Sequence, residues 1–261
     1  MKKKIGFVNF DMSTRGGAQQ VLQNLSNVLA REDEEYEIYI ISLIHEKSAC
    51  AYPLERGIHY ENILPYKGRI RDVILKAGKR FRRFCRQEGI DLLFYVGAYA
   101  GLCGGLLGRR LKIPKVFCDH GALLNQWNEK PARIMRTIGS RYSTRTVVLT
   151  RQSEEAYYDK FGYPPGRVIT IYNWIDDVIL GETGDYDADS RKILTAGRFS
   201  KEKGMDLLVD VAAALQKKTK DFVWEVYGEG DLWDEIQQRI QEEGLEENVK
   251  LMGLTNEMER C

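Results

Sequence analysis

The sequence predicts an α/β protein made of two parallel-sheet domains, and three observations predict it. Short apolar runs alternate with stretches of helical periodicity along most of the chain. The run Ile193–Ala196 stops at Gly197, and Met205, Leu207, Leu208, Val211 and Leu215 then recur at helical spacing, giving a strand, a glycine turn and a helix. The same unit opens the chain. Lys4–Phe10 reads as a buried strand, Asp11–Arg15 as a polar loop, and Gly16-Gly17-Ala18 begins a helix with Val21, Leu22, Leu25, Val28 and Leu29 on one face.

Composition narrows the class. With 261 residues, 43% of them hydrophobic, the chain can form two cores and is not a disordered segment. A net charge of +1 argues against nucleic acid as its main partner. The five cysteines form no C-x-x-C pair and no cluster with histidine, so no metal site is expected and a reducing, cytoplasmic setting fits. Lys2, Lys3 and Lys4 are basic, but Asn9 and Asp11 interrupt the following apolar segment too early for a signal peptide.

The remaining elements follow in order. Tyr36–Ile44 is β-branched and tyrosine-rich, a strand, and Ile58–Ile63 is a short further one. From Lys67 to Arg86 nine basic residues crowd a segment whose only acid is Asp72. Ile70, Val73, Ile74, Ala77, Phe81 and Phe84 recur there at helical spacing, so the segment is a strongly basic amphipathic helix. It is a solvated face over a core stripe, or a patch for anionic lipid headgroups. Leu92–Gly108 carries no charge, but five glycines interrupt it. It reads as a buried strand, Ile90–Tyr95, and a small-residue helix packed on a sheet rather than a membrane span. Pro114–Asp119, Thr146–Thr150 and Arg167–Tyr172 are further strands, with a helix beginning near Ser153. The first domain is placed at residues 1–176. The polar, acidic, glycine-containing stretch 177–191 is placed as a linker, and a second domain at 192–261. In that domain Phe222–Tyr227 is a strand leading to Gly228-Glu229-Gly230-Asp231 and a helix from Leu232, and Val249–Met252 is a strand ending at Gly253.

Three places in this plan suit a ligand, two of them an anionic one. The strand end at Gly197 is flanked by Arg198 and, where the helix begins, Lys203. Helix N-termini present unpaired N–H groups, so these residues form a cradle for a phosphate or pyrophosphate, although a basic surface turn has the same composition. Gly16-Gly17 is a second such turn. It is neither G-x-G-x-x-G nor a Walker sequence, which removes the dinucleotide and P-loop motifs. His120 lies just past a strand end, where ligands bind in open α/β sheets, and Asp119 beside it either orients the ring or caps the loop.

Gly197-Arg198-Phe199 followed by Lys203-Gly204 resembles the G-R-[LF]-x-x-x-K-G signature of the retaining glycosyltransferases of family 4. Gly16-Gly17-Ala18, Val116–His120, Val147–Ser153, Asn173-Trp174-Ile175-Asp176, Gly228-x-Gly230 and Gly253-Leu254 resemble further motifs of that family, with Trp174 standing where it has glycine. The resemblance implies a GT-B fold of two Rossmann-like domains. It further implies that Arg198, Lys203, Gly16 and Gly17 meet the donor diphosphate, that Gly197, Gly228, Gly230, Gly253 and Leu254 lie near the nucleotide, and that His120 meets the transferring sugar. The implied activity is hexosyl transfer with retention, from a nucleotide sugar (UDP by frequency in the family) to a glycan or lipid-linked acceptor in cell-surface polysaccharide or glycolipid synthesis. No separate cofactor is implied, and the implied location is the cytoplasm, peripheral to the inner face of the plasma membrane through Lys67–Arg86. The family's glutamate pair finds no match after Gly253. The sequence is therefore expected to hold an incomplete second domain and to transfer sugar poorly alone. The alternative is a shortened or split chain that binds nucleotide or a partner without catalysis; a GT-B epimerase lacks identifiable acidic groups.

Overall fold

A computed structural model of the chain describes residues 2–32, 35–45, 47, 49–65, 69–173, 187 and 189–255. The chain divides into two units, Met1–Trp174 and Ile175–Cys261. The hinge residues Trp174–Asp176, most of the 177–191 linker and Lys67 lie outside the described residues.

In the first unit β1 (Lys3–Asp11), α1 (Gly17–Glu32), β2 (Tyr36–Ile44) and β3 (His59–Asn62) come first. Next are the short helix α2 (Ile70–Asp72), a π-helical turn (Val73–Ala77) and α3 (Gly78–Gln87). They are followed by β4 (Leu92–Val96), α4 (Ala98–Gly108), β5 (Lys115–Asp119), α5 (Lys130–Arg141), β6 (Arg145–Val148), α6 (Arg151–Phe161) and β7 (Val168–Thr170). The strands form one sheet in the order β3-β2-β1-β4-β5-β6-β7, every pair parallel. Their nearly unbroken apolar runs are explained by burial on both faces. Ile5, Phe7, Ile38 and Ile40 join a core with Leu22, Leu25 and Leu29 of α1. Their neighbours Val8, Tyr39 and Ile41 point the other way and join Phe81 and Cys85 of α3 and Cys103 and Leu107 of α4. The chain thus winds outwards in both directions from β1, and the order reverses between β1 and β4.

The uncharged stretch at 92–108 is β4 and the eleven-residue α4, as the glycines indicate. Among the described residues no helix is long and apolar enough to cross a membrane. The glycines of α4 permit close contact. A Cβ added at Gly101 would lie 2.3 Å from the Phe117 ring, and one at Gly104 would lie 2.4 Å from the Tyr95 ring. Helix α5 is missing from the sequence reading, because Lys130–Arg141 carries few apolar residues and has a polar face.

The second unit holds β8 (Lys192–Ala196), α7 (Leu208–Gln216), β9 (Val223–Tyr227), α8 (Trp233–Glu242) and β10 (Val249–Gly253). Its three described strands form a parallel sheet, β10-β9-β8. Val226, Val249 and Leu251 pack against Leu208, Val209, Ala212, Ile236 and Ile240 of the helices. Arg239 of α8 reaches Asp210 of α7 at 2.6 Å and donates to the Asp206 carbonyl at 3.0 Å, tying the helices together.

Candidate functional site

In the second unit the glycine turns after three strands are stitched side by side. The Gly197 N–H donates to the Tyr227 carbonyl at 2.9 Å, and the Gly228 N–H donates to the Gly253 carbonyl at 2.8 Å. Phe199 N–H donates to the Glu229 carbonyl at 2.9 Å, and Leu232 N–H to the Phe199 carbonyl at 3.2 Å. These contacts require glycine. Gly228 has φ 137°, and a Cβ there would lie 1.9 Å from the Gly197 carbonyl oxygen; at Gly230, with φ 156°, it would lie 2.5 Å from that of Phe199. Phe199 is fully buried and packs on the Trp233 ring with centroids 4.9 Å apart, which anchors the loop between its two cations. The structure therefore brings Gly197, Gly228, Gly230 and Gly253 together at the carboxyl edge of this sheet. Leu254 follows directly and is 69% exposed.

Arg198 and Lys203 flank that edge, both exposed and both without an acidic partner among the described residues. The Lys203 stem lies beside Gly197, 3.9 Å from the position of an added Cβ. One expectation is corrected here. Lys203 does not begin the α-helix; it closes a 3₁₀ turn, Lys201–Lys203, and Gly204 (φ 70°) and a second 3₁₀ turn, Met205–Leu207, intervene before α7. A left-handed Gly204 breaks the helical hydrogen-bond ladder, so apolar spacing from Met205 onward marks the buried face but not the helix start. Ser200, between the cations, has its Oγ buried without a hydrogen-bond partner among the described residues.

In the first unit the corresponding edge carries the other candidates. The loop after β1 is held by Asp11, whose carboxylate accepts from the Ser13 N–H at 2.9 Å and hydroxyl at 2.6 Å. The Gly16 N–H donates to the Tyr52 hydroxyl at 3.1 Å, while Gly17 is exposed and a Cβ there would meet nothing within 4 Å. His120 follows β5. One strand, β4, separates β5 from β1, so their ends stand about 10 Å apart across the point where strand order reverses.

Asp119 does not serve the imidazole. It is buried, pairs with Arg136 Nε at 2.7 Å, accepts from the Tyr157 hydroxyl at 2.8 Å, and caps the loop by accepting from the Gly121 N–H at 3.1 Å. Of the two roles open from sequence, the loop cap is the one observed. Arg136 Nη2 also donates to Gln126 Oε1 at 2.7 Å, so one guanidinium fixes both ends of the loop carrying His120. Sequence reasoning missed Arg136; a lone arginine in a polar helix carries no local signal of burial. The His120 ring has no hydrogen-bond partner among the described residues. Burial lowers its pKa, partly opposed by the Asp119 charge, so it is a neutral imidazole at pH 7.

The arrangement comprises parallel α/β units whose carboxyl edges present glycine turns, two cations without an acidic partner among the described residues, and a neutral histidine. That is an arrangement suited to a phosphate-bearing ligand. Glycosyltransferase Family 4 matches residues 15–178, and Glycosyl transferases group 1 matches residues 183–260. The chain belongs to glycosyltransferase family 4, and its fold is GT-B. It is 25% identical over 260 residues to an uncharacterized glycosyltransferase of Haemophilus influenzae, covering 98% of this chain and 70% of that protein. It is 26% identical over 268 residues to the N-acetylgalactosamine-N,N'-diacetylbacillosaminyl-diphospho-undecaprenol 4-alpha-N-acetylgalactosaminyltransferase of Campylobacter jejuni, covering 97% and 70%. Among solved structures, Anabaena Alr3699/HepE in complex with UDP-glucose is similar with a TM-score of 0.71 and 17% identity, over 98% of this chain and 70% of that one.

Proposed function

We propose that this glycosyltransferase moves a hexosyl group from a UDP-sugar to a glycan or lipid-linked acceptor, with retention of configuration. The observation that carries the reading is the edge of the second unit, where glycine turns bring backbone close beside two cations that have no acidic partner among the described residues. Arg198 and Lys203 would hold the donor diphosphate and stabilise its charge as the nucleotide leaves. The glycine turns at 197, 228, 230 and 253, with Leu254, would admit the nucleotide. In the first unit, the Gly16-Gly17 turn would face a phosphate. The neutral His120 would accept or donate one hydrogen bond to the sugar without competing for the diphosphate as a cation. No separate cofactor is needed where one guanidinium, of Arg198, and one ammonium, of Lys203, neutralise the leaving group. Retention comes from the resemblance, and the relatives' names support the choice of donor and acceptor. A cytoplasmic enzyme at a membrane surface, in polysaccharide or glycolipid synthesis, suits the basic helix at 70–87. Its exposed cations would attract anionic headgroups.

The test is calorimetry with UDP and uridine. Arg198→Ala and Lys203→Ala should each weaken UDP by about 1.5–3 kcal/mol and leave uridine nearly unchanged, since only the diphosphate loses a charge-assisted bond. Wild-type affinity for UDP in both variants would move the phosphate site elsewhere. Donor turnover by the 261-residue chain tests the expectation, drawn from the resemblance, that a glutamate pair not found in it contributes to the reaction.

A further inference from the structure

Part of the segment between β2 and β3 straps the first half of α1. The Ala51 N–H donates to the Met12 carbonyl at 2.8 Å. The Pro53 carbonyl accepts from Gln23 Nε2 at 2.8 Å and from Asn27 Nδ2 at 3.2 Å, and the Glu55 N–H donates to Asn27 Oδ1 at 3.0 Å. Between these anchors the Tyr52 hydroxyl meets Gly16, accepting from its N–H at 3.1 Å and donating to its carbonyl at 3.3 Å. A hydroxyl is both donor and acceptor, so one phenol oxygen engages both polar groups of one residue. The Gly16 carbonyl also accepts from the Gln20 N–H at 3.0 Å. The N–H groups of Gly17, Ala18 and Gln19 have no acceptor within α1, because the helix begins at Gly17.

We infer that Tyr52 is a positioning residue for the Gly16-Gly17 turn, holding Gly16 so that the N–H groups of Gly17 and Ala18 meet a phosphate of the donor. The inference rests on the reading above that this turn faces a phosphate, and it assigns the contact within the turn. The Gly16 N–H is taken by Tyr52, so the contact falls to the exposed Gly17 and its neighbour. Glycine loses more conformational freedom on ordering than any other residue. Holding the turn before the ligand arrives removes that cost from binding. Upstream, Asp11 holds the loop through Ser13 and through its carbonyl, which accepts from Thr14 and Gln19. At Gly16 itself, Tyr52 is the one side chain that hydrogen-bonds to the backbone among the described residues. Its hydroxyl is uncharged and does not repel an anion, as a carboxylate in the same place would.

The test is a titration of the isotope-labelled 261-residue chain with inorganic pyrophosphate, followed at single amides by NMR. In wild type the Gly17 and Ala18 amides should shift saturably, and so should those of Gly197 and Arg198. Tyr52→Phe keeps the ring and removes only the hydroxyl. It should raise the apparent Kd read at Gly17 about tenfold, the effect of losing one hydrogen bond, and leave the Kd read at Gly197 unchanged. Asn27→Ala loosens the strap at Pro53 and Glu55 without touching Gly16, and should change the Kd at Gly17 less than about twofold. Wild-type affinity at Gly17 in Tyr52→Phe would overturn the inference. Equal losses in the two variants would also overturn it, since strap stability would then account for the effect. Shifts at Gly197 with none at Gly17 in wild type would remove the turn as a phosphate contact and Tyr52 with it, leaving Arg198 and Lys203 in their proposed role. Shifts at Gly17 with none at Gly197 would support the turn and move the second unit's phosphate site elsewhere. No shift at either would remove both readings.

Discussion

At the scale of single residues, the two kinds of glycine in the candidate site make opposite predictions. Gly17 faces open space, so Gly17→Ala should leave the melting temperature within a degree or two and weaken donor binding if the turn approaches a phosphate. Gly228 is in contact with the Gly197 carbonyl, so Gly228→Ala should lower stability measurably in denaturant titrations before any effect on ligand is read. His120 contributes a pH dependence. Its folded pKa lies below the unfolded value of about 6.5, so the unfolded chain takes up the extra proton first. The stability associated with neutral His120 is then present above about pH 6.5 and lost as pH falls through the folded pKa. The stability difference between wild type and His120→Gln should be constant above that point and shift below it. Arg136 is a buried charge with a buried partner, their side chains 3% and 1% exposed. Arg136→Met should cost about 3–5 kcal/mol, and adding Asp119→Asn should recover part of it, because the penalty lies in the carboxylate left alone.

At the scale of elements, the small residues of α4 set how closely it packs. Gly101 and Gly139 bring α4 and α5 together, with a Cβ at Gly139 lying 3.2 Å from the Gly101 Cα, and both pack on Phe117. Gly104→Ala pushes into the Tyr95 ring and should destabilise the first unit by about 1–3 kcal/mol, read as a lower urea midpoint with unchanged m. The lack of charge marks α4 as buried but does not give these distances; they depend on rings from β4 and β5. The basic helix shows a similar limit. Its apolar stripe is legible, whereas the π turn at Val73–Ala77 that shifts the face between α2 and α3 is not.

At the scale of the molecule, each unit has its own core among the described residues. A chain of residues 1–174 should therefore unfold cooperatively in circular dichroism and bind no UDP by calorimetry, since Arg198, Lys203 and the adjoining glycine turns belong to the second unit. Failure of that piece to fold would show that the seven-stranded sheet depends on the rest of the chain.

The sequence by itself determined the α/β class, the strand–turn–helix units and the positions where backbone must come close. Each of these is a local matter of apolar period and glycine. It also identified the family, because Gly197-Arg198-Phe199 and Lys203-Gly204 lie close together in the chain. Only the tertiary structure decided that Asp119 serves Arg136 and the loop rather than His120, and that Gly204 delays α7 past Lys203. Those outcomes depend on which side chains long-range packing leaves without water or without a partner, and desolvation of that kind has no signature in residue order.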